Sequence, residues 1–577
     1  MIKKSWAAQK EIKNVMLFLQ EQGISTALGH RIYKVYGDNS ITVMRKNPYQ
    51  LVDDVYGIGF KTADQIAAKL GMDKESFNRC RSGIFYVLSQ LSNEGHCYTP
   101  FDELVQKCVD ILDIEEQKII MTVGHLVFEN ELMKEQDDKI YLPPFFYAEV
   151  GTSRRIKAIM NAPNNNAIQD INSAIEKVQH ESGIVYNEVQ INAVKLAAQS
   201  KFSVITGGPG TGKSTLVKAI IDLFVQSGKT VLLAAPTGRA AKRMSEATGI
   251  EAKTIHRLLE SKPPEGFGRN ADNPLVGDVL IVDETSMVDV LLMYNLLKAV
   301  PDNMTIILVG DVDQLPPVGA GNVLRDVIDS GVVPVVTLTQ IFRQAMGSRI
   351  VTNAHKINKG AMPDLSSIRN SDFFFVEKNN SADIVNEIAE LCAKRLPKHY
   401  GFDPVTDIQV LTPMRRGEIG AHNLNKVLQD ALNKNTLHLQ RGATEYRLGS
   451  KVMQTKNNYT KGVYNGDIGR ICAVNIEDKT VTVDFDENQV DYEYMELDEL
   501  VLSYAITVHK SQGGEFPIVV MPFALSHSIM LQRNLLYTAM TRAKKVFVIL
   551  GDEDAIRYAV KNNNASSRNT LLCERLR

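Results

Sequence analysis

The sequence of 577 residues predicts an α/β protein built on two parallel sheets flanked by helices. From Ser203 to Leu338, short β-rich runs alternate with helical patterns, which is typical of parallel strands joined by crossover helices. A second alternation of the same kind begins after Gly347. The glycine-rich turn GGPGTGKST follows the first strand and opens a helix, which is the setting of a phosphate-binding loop.

The composition is that of an ordinary globular protein. Hydrophobic residues make up 44% of the chain and charged residues 23%, and the apolar stretches are too short to span a bilayer. A prior of about 150 residues per domain predicts three to five domains. A net charge of −2 means that any polyanion site must be a local groove. Six dispersed cysteines and an N-terminus without an apolar signal core predict reduced thiols, no membrane partner and a cytoplasmic location.

The first 150 residues contain no phosphate loop and have mainly helical patterns. In VYGIGFKTADQIAAKLG (Val55–Gly71), Gly57 and Gly59 flank one apolar residue between two helical segments. This pattern is typical of a helix-hairpin-helix motif that binds a DNA backbone through its amides, although a tight turn between core helices fits equally well. We predict a helix-hairpin-helix region at 1–75, with LQEQGISTALGHRIYKVYG as a degenerate copy, and a winged-helix-like region at 76–150.

The phosphate loop belongs to a first α/β domain, predicted at 151–346. Its glycines let successive amides face the phosphates, and the helix N-terminus adds partial positive charge. Lys213 is expected to reach the outer phosphates, and the Ser214 hydroxyl is placed for Mg²⁺. The predicted ATP-binding residues of this loop are Gly207, Gly208, Pro209, Gly210, Thr211, Gly212, Lys213, Ser214 and Thr215.

Two further motifs of this domain indicate ATP hydrolysis. VLIVDE ends in Asp283, expected to hold Mg²⁺ through water, and in Glu284, expected to orient or deprotonate the attacking water. Gln314 follows a fourth strand, in GDVDQLPPVGAG, where it can sense the terminal phosphate. Between strands, about 260–276, KPPEGFGRNADNP is either a loop or a protruding hairpin.

A second α/β domain is predicted at 347–577, so the nucleotide is expected to lie between two similar halves. Charge on the transferring phosphoryl group requires cations from the far side of such a cleft, and Arg343 and Arg542 are the candidates. From about 441 to 500 the pattern changes to period two, with a turn signal at Asn465 and Gly466. This segment predicts a small β-barrel insert.

The motifs in combination resemble superfamily 1 DNA helicases of the RecD-like group. In chain order they are VQINAV around Gln190, GGPGTGKST, AAPTGRAAKRM, AKTIHRLL, VDETSM, GDVDQLPPVGAG, IFRQ, YAITVHKSQGGEF and YTAMTRAKK. The resemblance covers roughly residue 185 to the C-terminus, and the leader with GIGFKTAD resembles the free-standing type. Those proteins usually carry a further small domain before the helical leader, and this sequence starts almost directly with the leader.

The resemblance implies two RecA-like P-loop motor domains, an SH3-like insert, and ATP-driven movement along single-stranded DNA in the 5′ to 3′ direction. It assigns Gln190 to the adenine and places a strand-separating hairpin at Pro263–Asn273. Single-stranded DNA and single-strand/duplex junctions are the implied partners, together with repair or single-strand-binding proteins, and the chain is expected to be a monomer. The implied DNA contacts are Thr237, Arg239, Thr254, His256, Thr507, His509 and Lys510.

Three functional interpretations remain open at the level of sequence. The full set of motifs favours an ATP-dependent DNA helicase that acts in repair or recombination. A nucleic-acid-binding regulator that uses ATP as a switch would need the same pocket and the same leader. A motor subunit of a recombination nuclease would carry the same motor motifs.

Overall fold

The computed structural model describes residues 15–21, 23–136, 138–262, 265–340, 347–458, 460–486, 488–563 and 567–577. The chain divides into two compact units. The first contains residues 1–150, 318–321 and 568–571, and the second contains residues 151–317, 322–567 and 572–577. Among the described helices, not one combines the length and the apolar composition needed to cross a membrane.

The first unit begins with two helical hairpins of similar geometry. Gly57 lies at φ +88°, a conformation that glycine adopts without Cβ strain, and the adjacent Ile58 is buried. Gly23, at φ +75°, and the buried Ile24 occupy the same positions in the earlier segment. Between residue 25 and residue 70 the hairpins contain the α-helices α1 (Thr26–Tyr36), α2 (Ser40–Lys46), α3 (Gln50–Asp54) and α4 (Phe60–Lys69).

The rest of the first unit has the element order of a winged helix, as predicted. The helices are α5 (Phe77–Asn93), α6 (Phe101–Leu112) and α7 (Glu116–Phe128). The strands β1 (Tyr98–Pro100), β2 (Met133–Glu135) and β3 (Lys139–Tyr141) form an antiparallel sheet in the order β1-β3-β2. One apolar core extends from Val15 to Ile140, so the hairpins and the winged-helix elements pack as one body.

The first half of the second unit is a six-stranded parallel sheet in the order β11-β4-β10-β9-β5-β6. Its central strands are buried along their length, which explains why they consist of Val, Ile and Leu runs. The alternation predicted from Ser203 to Leu338 is confirmed, and β6 is a further short strand at the sheet edge. The strands are β4 (Phe202–Gly207), β5 (Val231–Ala235), β6 (Ala252–Thr254), β9 (Val279–Val282), β10 (Thr305–Gly310) and β11 (Val335–Leu338).

Eight helices precede or join these strands, and α8 contains the point at which the chain passes from the first unit to the second. They are α8 (Pro143–Asn161), α9 (Ile171–Ser182), α10 (Glu188–Gln199), α11 (Lys213–Gln226), α12 (Gly238–Thr248), α13 (Ile255–Leu258), α14 (Val290–Ala299) and α15 (Val323–Ser330). Between α13 and β9, strands β7 (Ser261–Lys262) and β8 (Gly266–Phe267) pair antiparallel. The hairpin interpretation of this segment is therefore confirmed over its described residues.

The second half is a five-stranded parallel sheet in the order β12-β23-β22-β13-β21. A π-helical turn at Leu391–Arg395 lies between two α-helices of this half, Ser381–Glu390 and Leu396–Tyr400. The strands are β12 (Phe373–Glu377), β13 (Ile408–Thr412), β21 (Ala505–Thr507), β22 (Phe516–Phe523) and β23 (Ala543–Gly551). The helices are α16 (Arg349–Asn358), α17 (Ser381–Glu390), α18 (Leu396–Tyr400), α19 (Ala421–Leu432), α20 (Arg533–Met540), α21 (Glu553–Lys561) and α22 (Leu572–Leu576).

The insert of the second half is mainly β, with one 3₁₀ segment at Glu496–Glu499, which confirms the period-two prediction. A two-stranded hairpin, β14 (His438–Arg441) and β15 (Thr444–Arg447), precedes an antiparallel sheet in the order β19-β18-β17-β16-β20. Alternate residues such as Val481, Val483 and Tyr492 form its own apolar core. The strands of the sheet are β16 (Lys451–Gln454), β17 (Ile468–Asn475), β18 (Thr480–Phe485), β19 (Asn488–Glu493) and β20 (Leu500–Leu502).

Candidate nucleotide and DNA sites

The phosphate loop joins β4 to α11 and depends on its glycines. Gly210 and Gly212 lie at φ +73° and +77°. A Cβ at Gly207 would lie 2.8 Å from the Cβ of Leu338, so only glycine fits there. The Lys213 ammonium donates to the carbonyl oxygens of Gly207 and Gly208, the latter at 3.2 Å. The lysine therefore lies inside the curl of the loop, where it can meet a phosphate.

Gln190 has a structural role and an unused donor. As the third residue of α10 it forms a capping box with Asn187: its amide N donates to Asn187 Oδ1 at 2.9 Å, and its Oε1 accepts from the Asn187 N at 3.2 Å. Its Nε2 is buried without a hydrogen-bond partner in the described structure. Since an unsatisfied buried donor is costly, an acceptor on a ligand at this position would be stabilised.

The two acids lie directly after β9. Asp283 Oδ1 accepts from the Glu284 N at 2.8 Å, and Glu284 adopts φ +51°, which is uncommon for a residue other than glycine. Burial raises the pKa of Asp283, and the charge of Glu284 adds to that effect. Burial also acts to raise the pKa of Glu284, but the charges of Arg542, Arg243 and Lys213 outweigh it and hold that pKa below its usual range. Glu284 is therefore ionised at neutral pH.

The segment after β10 connects the two halves around the loop. Gln314 Nε2 donates to Asp311 Oδ2 at 3.3 Å, and Tyr537 Oη of the second half donates to the same oxygen at 2.8 Å. The Leu315 N donates to Thr538 Oγ1 at 2.8 Å. A Cβ at Gly208 would lie only 3.0 Å from Tyr537 Oη. Gln314 therefore lies in a hydrogen-bonded link between the two halves, and this link is adjacent to Gly208 of the phosphate loop, where a phosphate sensor is expected.

The structure places one of the two predicted arginine fingers at the acids. The Arg542 side chain is 3% exposed, and its Nη1 lies 4.0 Å from Glu284 Oε1 and 3.1 Å from the Gly514 carbonyl oxygen. Arg343 lies outside the described residues. Arg542 thus brings a cation from the second half to the acids of the first.

Several neighbours of this site were not predicted. Arg243 pairs with Glu284 and with Glu515 of the second half, both at 2.9 Å. Tyr537 and His355 face Gly208. Three of them lie within motifs of the sequence: Arg243 in AAPTGRAAKRM, Glu515 in YAITVHKSQGGEF and Tyr537 in YTAMTRAKK. The motifs therefore indicate the segments in which these residues occur. Their partners depend on the contact between the two halves, which the sequence does not reveal.

The candidate DNA residues of the first half follow the outer strands of its sheet. Thr237 comes after β5 and Thr254 ends β6, and their hydroxyls accept from the N-terminal amides of α12 and α13 at 3.3 and 3.1 Å. The Arg239 guanidinium lies 5.0 Å from the ring centre of Phe516, and its Nη1 is buried without a hydrogen-bond partner in the described structure. His256 lies 6.0 Å, ring centre to ring centre, from Phe267 of the β7-β8 hairpin.

The candidates of the second half occupy a comparable place. Thr507 ends β21, the outer strand of its sheet, as Thr254 ends the outer strand of the other. His509 and Lys510 lie in the short helical turn that follows. Lys510 Nζ donates to Asn465 Oδ1 of the insert at 2.8 Å, and burial, with the charge of Arg415, lowers its pKa. The two sheets therefore present their candidate residues at the carboxyl ends of equivalent strands.

In the first unit, the loop with Gly57 and Gly59 is open on the side of Gly59, whereas Arg31 covers Gly57: Arg31 Nη1 donates to the Tyr56 carbonyl oxygen at 3.0 Å and lies 2.5 Å from where a Cβ on Gly57 would be. Tyr56 is 92% exposed, and a Cβ at Gly59 would meet no atom of the described structure within 4 Å. Gly59 caps the N-terminus of α4. The loop thus presents backbone at a helix N-terminus, a geometry suited to a phosphate.

Four family models match the chain. An AAA domain matches residues 190–320, and a UvrD-like helicase C-terminal domain matches 502–550. The HHH domain of the ATP-dependent RecD2 DNA helicase matches 8–98, which supports the helix-hairpin-helix interpretation over a simple turn. The SH3 domain of the ATP-dependent RecD-like DNA helicase matches 424–485, in agreement with the β insert.

Several known proteins are similar in sequence to this chain over most of its length. The ATP-dependent RecD2 DNA helicase of Deinococcus radiodurans is 34% identical over 586 residues, covering 99% of this chain and 79% of that protein. The RecBCD enzyme subunit RecD of Mycolicibacterium smegmatis is 30% identical, covering 76% of this chain and 82% of that one. A solved Pif1 helicase from Bacteroides, in complex with ADP-AlF3 and ssDNA, is 22% identical, with a TM-score of 0.38 over 66% of this chain and 96% of that chain. From the full-length similarity to the first of these proteins, the chain belongs to the RecD2 family of RecD-like, superfamily 1 ATP-dependent DNA helicases.

Proposed function

We propose that this protein hydrolyses ATP to move 5′ to 3′ along single-stranded DNA and to separate duplex DNA ahead of it, in cytoplasmic repair or recombination. One observation carries the proposal: Glu284 of the first half faces Arg542 of the second at 4.0 Å. An ATP site formed by both halves couples nucleotide binding and release to their relative movement. The direction is taken from the family resemblance.

Each nucleotide-site residue has a role in this proposal. Gln190 receives the adenine through its free Nε2. The phosphates lie against the backbone N–H groups of Gly210–Thr215, since Pro209 has no N–H. Lys213 neutralises the outer phosphates. Glu284 orients or deprotonates the attacking water, and Arg542 stabilises the charge that develops on the phosphoryl group. Gln314 reports the terminal phosphate to Tyr537 through Asp311.

The donor set also fits a magnesium ion. Ser214 lies in the first turn of α11, and Asp283 follows β9, so a hydroxyl and a carboxylate occur at the carboxyl edge of the same sheet. Oxygen donors of this kind are those that Mg²⁺ prefers, with water and phosphate oxygens completing the shell. When bound, the ion would neutralise charge on the phosphates. Asp283 itself is held in place by the Glu284 amide.

The DNA site is proposed to cross the carboxyl ends of both sheets. Thr237, Arg239, Thr254 and His256 would bind the strand in the first half, with Thr507, His509 and Lys510 in the second. Hydroxyls, cations and helix N-termini recognise phosphates, so sequence preference should be slight and salt dependence strong. The hairpin of β7 and β8, which His256 contacts, would separate the strands at a junction.

Unwinding assays on tailed duplexes test this function. The purified single chain should unwind a duplex with a single-stranded 5′ tail, and should leave an otherwise identical duplex with a 3′ tail intact. DNA-stimulated ATP hydrolysis without unwinding of either duplex would contradict the helicase and favour an ATP-switched regulator. Unwinding that requires added nuclease subunits would favour a motor subunit. The sedimentation coefficient of the active species tests whether it is a monomer. The unwinding rate with and without added single-strand-binding protein tests whether that protein is a partner.

A further inference from the structure

One face of α12 packs on the segment Gly513–Phe516 of the second half. At its N-terminus, Thr237 Oγ1 lies 2.6 Å from where a Cβ on Gly513 would be. Arg239 lies over the ring of Phe516 at 5.0 Å. Residues 239 and 243 are one helical turn apart and so share this face. The helix that begins with candidate DNA residues therefore carries Arg243 on the face that meets the second half.

Arg243 connects this contact to the catalytic acid. Its Nη2 lies 2.9 Å from Glu284 Oε1, and its Nη1 lies 2.9 Å from Glu515 Oε1. The Glu284 side chain is 7% exposed, whereas those of Arg243 and Glu515 are about one-third exposed. Paired, charge-assisted hydrogen bonds of a planar guanidinium fix geometry as well as charge. One arginine therefore ties the acid of the first half to the second half.

The charge of Arg243 helps to keep Glu284 ionised, but the pairing occupies Oε1, one of the two oxygens that Glu284 could offer to a water. To orient or deprotonate water, the carboxylate must offer an oxygen to the water, and an oxygen engaged by a guanidinium is a weaker acceptor. Glu284 also holds a sparsely populated backbone conformation at φ +51°. Such a conformation persists where surrounding contacts impose it, and Arg243 provides one of them.

We propose that Arg243 is a positioning residue that holds Glu284 in an unproductive pairing, and that DNA binding withdraws it through Glu515. The inference rests on the proposed function, in which the second half moves relative to the first along DNA. The candidate DNA residues Thr237 and Arg239 lie at the start of α12, the helix that carries Arg243. The candidates Thr507–Lys510 come shortly before Glu515 in the chain. A shift of the second half along the strand moves Glu515, and with it Arg243. The pairing thus limits ATP hydrolysis in the absence of DNA.

Two substitutions should have opposite signatures. Arg243→Gln releases Glu284, so the DNA-free kcat should rise on the order of tenfold. The stimulation by DNA should fall by the same factor. Glu515→Gln leaves Arg243 on Glu284 without its link to the second half, so the DNA-free kcat should stay low while the stimulation falls.

Initial rates at saturating ATP, with and without single-stranded DNA, measure both effects. Lys544→Gln is the matched control, since Lys544 contacts Glu515 at 3.5 Å from an exposed position and touches neither Arg243 nor Glu284 in the described contacts. Arg243→Lys, which keeps the charge but cannot hold both carboxylates in a planar geometry, should be intermediate. Melting temperatures establish that each variant is folded.

Other outcomes would overturn the inference. Equal losses with and without DNA in Arg243→Gln would mean that Arg243 only supports Glu284, and unchanged rates would mean that the pairing has no role. If Arg243→Gln does not fold, an undiminished stimulation in Glu515→Gln is sufficient to reject the relay. Failure of the proposed function is separate, because it shows in the unmodified protein, as absence of unwinding or absence of DNA-stimulated ATP hydrolysis.

Discussion

At the scale of single residues, Gln190 combines two roles that substitutions can separate. Its Oε1 completes the capping box of α10, while its buried Nε2 has no partner among the described residues. Gln190→Glu keeps an acceptor for the Asn187 N and adds a charge that a helix N-terminus tolerates, but it loses the donor. We expect the KM for ATP to rise about fivefold, the effect of one net hydrogen bond of about 1 kcal/mol, with little change in melting temperature.

Gln190→Ala is the comparison for this prediction. It removes the donor and the capping acceptor together, so it should raise KM by a similar factor and also lower stability by about 1 kcal/mol. Steady-state ATPase rates and thermal melting provide both quantities. An unchanged KM in Gln190→Glu would mean that the adenine does not contact this amide.

His527 predicts how stability depends on pH. It is 2% exposed, and burial lowers its pKa from 6.5 to about 4. Between these two values the unfolded chain binds more protons than the folded one, so the free energy of unfolding falls as pH drops from about 6.5 towards 4. The shift corresponds to at most about 3 kcal/mol. Melting temperatures at pH 7 and pH 5 should differ less for His527→Gln than for the unmodified protein, and equal differences would contradict this assignment.

At the scale of elements, the hairpin before α4 can be tested without disturbing the fold. Gly57 requires its positive φ, so a side chain there would strain the loop itself. Gly59 lies at φ −103° with open space around its Cβ position. Gly59→Val should therefore leave the melting temperature unchanged and weaken duplex or junction binding, because the side chain blocks the approach of a backbone phosphate to the helix N-terminus.

Gly124→Ala is the matched control for the hairpin, since Gly124 lies within α7 of the same unit and also has open space around it. Fluorescence anisotropy with labelled DNA compares the affinities. Equal affinity of Gly59→Val and the unmodified protein would indicate that the hairpin is only a turn between core helices.

The elements also show what the sequence can and cannot predict. Buried strands such as β4, β9 and β10 were predicted because strands covered on both faces consist of continuous β-branched and leucine runs. β6 and β21 were missed, since each has three residues at a sheet edge, too few to show a period. The residues of the phosphate loop and Arg542 can be predicted from sequence motifs. The pairing of Arg243 with Glu515 cannot, because it depends on a contact between two halves that are far apart in sequence.

At the scale of the whole motor, groups from the two halves meet at the candidate ATP site. Tyr537 binds Asp311, Thr538 binds the Leu315 amide, and Arg542 faces Glu284. The groups from the second half come from α20 and the residues that follow it, so a single helix positions them against the first half. We therefore propose that the ATP site is complete only when both halves are in contact, and the mechanism depends on this point.

The ATPase activity of Arg542→Gln tests this claim most directly. Loss of a cation that stabilises the transferring phosphoryl group costs about 10³- to 10⁵-fold in turnover, while binding of ATP to the first half should change by less than about tenfold. Lys545→Gln removes an exposed cation in β23, three residues after Arg542, and is the control, and melting temperature monitors the fold. Turnover at least about 10³-fold lower, with ATP binding retained, is the predicted result. A folded Arg542→Gln protein that hydrolyses ATP at the unmodified rate would show that the first half is catalytically complete, and would contradict the account.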